Sequence, residues 1–133
     1  MQYALTTTVN APFDRALTAT REALADEGFG VLSEIDLAGT LKAKVDADLD
    51  PYVILGACRP QLAEQAVAHE PSIGLLLPCN VVVRADGAAR SVVEALDPDM
   101  MVGVTDNDRL KDVASDARTR LDNALASLPS RVS

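Results

Sequence analysis

Four residues of chemical potential interrupt otherwise apolar runs in this chain: Glu34, Cys58, Cys79 and Asn80. Cys58 closes the run from Tyr52 and stands directly before Arg59 and Pro60. Pro60 suits the first position of a helix, so the thiol lies beside unpaired N–H groups and the positive end of a helix dipole, which favour a thiolate. Arg59 adds a full positive charge if it points inward. A nucleophilic Cys58 with Glu34 as proton acceptor would suit thiol chemistry. The plainer reading is that both cysteines are small hydrophobes completing strands. Strands that bring them close would still rarely meet disulfide geometry. Glu34 could carry a raised pKa in an apolar setting or simply be solvated at a strand end. Asn80 could orient a ligand or tie down a break in the chain beside Pro78. His69, the one histidine, is expected on the surface at a helix end.

Other chemistries lack residues. Two cysteines without Cys-x-x-Cys spacing and one histidine leave a zinc site short of ligands, so no metal is expected and no cofactor can be named. Gly28-Phe29-Gly30 precedes a strand pattern and not a helix, which argues against a phosphate loop. The net charge of -8 and the presence of only two tyrosines, two phenylalanines and no tryptophan weigh against nucleic acid, which calls for a basic face and stacking aromatics. No apolar run is long enough to span a bilayer, and the first residues do not form a secretory signal. The expectation is a cytoplasmic protein whose cysteines are reduced. At 133 residues, 48% of them hydrophobic, residues 1–133 should form a single domain.

The longest apolar stretch, Pro71 to Val83, reads as the central strand. Branched aliphatic residues at both parities predict cover on both faces, with pairing interrupted by a bulge or break at Pro78-Cys79-Asn80. Around it the periodicities predict strands at Tyr3 to Val9, Gly30 to Ile35, Tyr52 to Cys58 and Arg90 to Leu96. Long helices are predicted after Asn10-Ala11-Pro12, with Gly28 as its stop, and from about Asn107 to Leu128, where Pro129 should end the helix and the tail fray. Short helices are expected at Asp36 to Val45 and Pro60 to about Glu70, and a helical turn at Met100 to Val102 packing on the sheet. The fold class is therefore α+β, an antiparallel five-stranded sheet with two long helices on one face.

Three separated motifs carry a family likeness: Gly28-Phe29-Gly30-Val31-Leu32-Ser33-Glu34-Ile35-Asp36, Ile54-Leu55-Gly56-Ala57-Cys58-Arg59-Pro60 and Ile73-Gly74-Leu75-Leu76-Leu77-Pro78-Cys79-Asn80-Val81, followed by Ala95-Leu96-Asp97-Pro98. In these the chain resembles the domain-of-unknown-function 302 family, nearly end to end. The resemblance implies a fold like that of the TATA-binding protein, and a homodimer. Arg59 departs from the family pattern, which places asparagine there. The family carries no assigned activity.

Function therefore rests on three readings. The leading one is a small-ligand-binding or interaction module with an apolar cleft lined by Glu34, Cys58, Cys79 and Asn80. A thiol-dependent enzyme or redox protein using Cys58 is the second, and a structural homodimer without a pocket is the third. Residues such as Leu76 and Val82, pointing away from the two long helices, predict an apolar patch that either Met100 to Val104 folds over or a second copy covers, the homodimer forming through the sheet edge or a helix face.

Overall fold

A computed structural model describes residues 2–133. Its strands are β1 (Ala4–Val9), β2 (Gly30–Asp36), β3 (Tyr52–Cys58), β4 (Cys79–Ala85) and β5 (Ser91–Leu96), and its helices α1 (Phe13–Asp26), α2 (Leu37–Val45), α3 (Pro60–His69), α4 (Asp99–Thr105) and α5 (Lys111–Val132). All strand pairs are antiparallel, in the order β1-β5-β4-β3-β2. The α+β class and the five-stranded sheet are as the sequence predicts. The first two strands occupy opposite edges, so α1 must carry the chain across the whole sheet. Its fourteen residues reach about 21 Å, which matches the roughly 19 Å spanned by four interstrand gaps. Gly28, at φ +83°, turns the chain out of α1 and into β2.

The long helices α1 and α5 cover one face. Against them lie Val53, Leu55 and Ala57 of β3, Val81 and Val83 of β4, and Val93 and Ala95 of β5, all buried. Alanines at 16, 19 and 23 of α1 and 124 of α5 keep the two layers close. A second core lies beyond the sheet, where Leu62 and Ala66 of α3, Ile73 and Met101 pack on Val113, Ala114 and Ala117 of α5.

Three expectations need correction. The stretch from Pro71 is not one central strand covered on both faces. Pro71–Leu75 forms a 3-10 turn that buries Ile73 and exposes Leu75, and β4 begins only at Cys79, after the cis Leu77–Pro78 bond. Pro78 thus lies outside the ladder, and Cys79 and Asn80 pair regularly with Ala57 and Gly56. The bulge falls instead in β2, between Val31 and Ser33. Second, the predicted turn at Met100 is a full helix, α4, lodging Met101 against α3 and α5. Third, Pro129 does not end the last helix. The chain stays helical to Val132 because that side chain is buried, Arg131 pairs with Asp26 of α1 at 2.7 Å, and Arg15 donates to the Val132 carbonyl.

Candidate functional site

Cys58 and Cys79 come together at one end of the sheet. Cys79 opens β4 opposite Ala57, and Cys58, the last residue of β3, is one position further along. Both thiols line an apolar cavity of about 20 Å³, walled by Leu62 and Ala66 of α3, Leu77, and Met101 of α4. That volume is close to a single water, so the space as it stands houses no organic ligand. Arg59, which follows Cys58, also lines the cavity. Its Nε is buried without a hydrogen-bond partner among the described residues, lying over Gly28, where a Cβ would come within 3.1 Å of it.

The two thiols differ in setting. Cys58 is half-buried, whereas Cys79 is only 8% exposed. Burial, reinforced by the nearby Cys58, pushes the Cys79 thiol up to about 11. At pH 7 its thiolate fraction is then roughly one in ten thousand. Iodoacetamide at neutral pH is accordingly expected to label Cys58 at least about tenfold faster than Cys79. Peptide mass spectrometry over a time course reads this directly, and equal or reversed rates would contradict it.

Glu34 stands elsewhere. Its side chain lies on the helix-covered face at the β2 edge, opposite Leu55, and is ion-paired with Arg21 of α1. Asn80 is exposed on the other face of the sheet, which neither α1 nor α5 covers. His69, in the last turn of α3, is exposed as expected. Among the described residues no three His, Cys, Asp or Glu side chains cluster as metal ligands, and no helix is long and apolar enough to cross a membrane.

The uncovered face contains residues that the sequence reading passed over. Cross-strand rows run Ile35-Ile54-Val82-Glu94-Thr6 and, beside it, Tyr52-Arg84-Val92-Thr8. Ile54, Val82 and Leu96 are half-buried and Ile35 exposed. Arg84 reaches diagonally to Glu94 at 3.2 Å, and Thr6 Oγ1 donates to the same carboxylate at 3.1 Å. A groove of about 230 Å³ runs between Tyr3, Tyr52, Asn80, Val82, Glu94 and Leu96. The available signal was parity: in β1, β3, β4 and β5 the even-numbered residues face this side, Cys58 at the very end of β3 excepted, and it carries the one Arg and one Glu set within those strands.

Residues 5–128 match the domain of unknown function DUF302. The structure is similar to the crystal structure of an uncharacterized conserved DUF302 protein from Bacillus stearothermophilus, with a TM-score of 0.85 and 28% identity over 100% of both chains. No curated protein matches. A match over nearly the whole chain, joined to a shared fold of full length, places this protein in the DUF302 family.

Proposed function

We propose that this protein is an interaction module that works as a homodimer, joined through the uncovered face of the sheet. The observation supporting this is electrostatic. The chain carries 20 acidic against 12 basic residues, a net charge of -8, yet among the described strand residues the only charged side chains on this face, Arg84 and Glu94, neutralise each other. Two copies that repel elsewhere can approach here. An ion pair set off-centre is also self-complementary, since a two-fold axis brings Arg84 of each copy towards Glu94 of the other. Around the pair, Ile54, Val82 and Leu96 offer apolar area whose burial drives association.

A small-ligand role attaches to the same face, because the groove there is lined by Tyr3, Tyr52, Asn80 and Glu94 beside the apolar Val82 and Leu96. Native mass spectrometry addresses both readings. The expected species has twice the 14.0 kDa chain mass, and a retained ligand would add its own mass. Val82→Arg, at the middle of the face, is expected to weaken association about a hundredfold, a cost of ~2.7 kcal/mol, while leaving the circular dichroism of the chain unchanged. A wild-type chain that stays at 14.0 kDa at micromolar concentration would overturn the dimer.

A further inference from the structure

We propose that Cys58 and Cys79 are a reactive dithiol, which a small disulfide oxidises to an intramolecular bond with Cys58 attacking and Cys79 resolving. This rests on the two thiols at one end of the sheet and not on the Arg84–Glu94 pair of its open face, and it stands whether or not the chain dimerises.

Reach comes first. Cys79 pairs with Ala57, and Cys58 is the next residue on that neighbouring strand. A strand spacing of about 4.8 Å with a rise of about 3.3 Å puts their Cα atoms roughly 6 Å apart, inside the ~4.4–6.8 Å range that a disulfide spans. In the interior of a ladder such residues would point to opposite faces. Here β3 ends at Cys58, the chain swings through Arg59 into α3, and both side chains line the same cavity. Its walls are otherwise Leu, Ala, Phe, Val and Met, with Arg59 as the one charged residue among them. The space is about 20 Å³, so the sulfurs can move towards each other without first expelling a packed side chain.

Access then fixes the order of events. Half-buried Cys58 meets a solution reagent, while Cys79 is reached only from inside. The Cys58 thiolate attacks one sulfur of the small disulfide, forming a mixed disulfide and expelling the first small thiolate. Cys79 then attacks the Cys58 sulfur. Its sulfur bonds to that of Cys58, the bond to the second small thiol breaks, and the Cys79 proton leaves with that thiol. In sum the protein loses two hydrogens and one small disulfide is reduced to two thiols. The effect of Cys58 on the ionisation of Cys79 agrees with the two residues lining one low-dielectric pocket. As the chain holds only two cysteines, no other intramolecular partner competes.

Oxidised glutathione is the probe. The wild-type protein should lose two hydrogens, retain no glutathione, and give a linked pair of peptides after cleavage at Glu64, which lies between the cysteines. Cys79→Ala should stop at one glutathione on Cys58, and Cys58→Ala should take up glutathione at least about tenfold more slowly. A stable glutathione adduct on wild-type Cys58, a disulfide-linked dimer, or no reaction would each overturn the proposal. The wild-type peptide map decides the matter if either variant fails to fold.

Discussion

Leu121→Ala is expected to lower the unfolding free energy by roughly 4–5 kcal/mol, towards the upper end of what burying and then deleting a leucine side chain costs. Leu121 is fully buried in the middle of α5, facing Thr20, Ala23 and Leu24 of α1 and Val81 and Ala95 of the sheet. What decides the magnitude is whether its surroundings can close over the gap. Ala23, Ala95 and Ala124 have no rotamer to turn inward, and the sheet beneath is locked by ladders on both sides of β4. A void of about 10 Å³ already exists there, so the deleted side chain enlarges a defect. Against a total stability of about 5–15 kcal/mol the loss is severe, with a fall in Tm of roughly 15 °C. Leu75→Ala is the control, since Leu75 is 88% exposed and should change little. Urea denaturation measures both, and a loss at Leu121 below about 2 kcal/mol would show that the two helix layers collapse onto the space.

The order of elements was legible because each helix and strand repeats its apolar residues at its own period. Where several features competed, the reading failed for physical reasons. Leu75, Leu76 and Leu77 lengthen an apolar run, yet Ile73 and Leu76 are spaced as a helical turn, and it is Ile73 that the core takes. Pro129 costs a helix one bond in its last turns, and burial of Val132 with two arginine contacts outweighs that cost. Proximity of the two cysteines followed from strand adjacency alone. The position of Glu34 did not. Val31 pairs with Ala57 on the helix-covered side, so a regular β2 would put Glu34, three residues on, on the uncovered side. The bulge at Leu32 shifts the strand by one residue and sends Glu34 to the other face, where Arg21 meets it. No residue at Leu32 announces the bulge, since leucine fits a regular strand as well. The missed Arg84–Glu94 pair failed differently, for its parity was visible but its significance depended on knowing that no long helix covers that face.

Gly56→Ala is expected to cost about 2–3 kcal/mol, as overpacking does when the neighbours cannot yield. Gly56 lies in β3 on the side away from α1 and α5, between Ser33 of β2 and Asn80 of β4. It is buried there all the same, because Ser33 and Pro78 close over it. A Cβ on Gly56 would fall 2.7 Å from Pro78 Cγ and collide with Ser33 Oγ. The two obstacles differ in kind. Rotation of a serine side chain removes its hydroxyl at little cost, whereas the Pro78 ring is carried by the backbone that leads into Cys79 and the start of β4. Displacing that ring moves a strand end, so most of the penalty belongs to it. A thermodynamic cycle separates the two: Ser33→Ala combined with Gly56→Ala should recover less than half of the loss. Full recovery would assign the collision to the serine and sink the account of Pro78. The same strain reaches the thiol pair, because Pro78 and Cys79 are consecutive, and the alanine variant should therefore label faster at Cys79 as β4 loosens at its first residue.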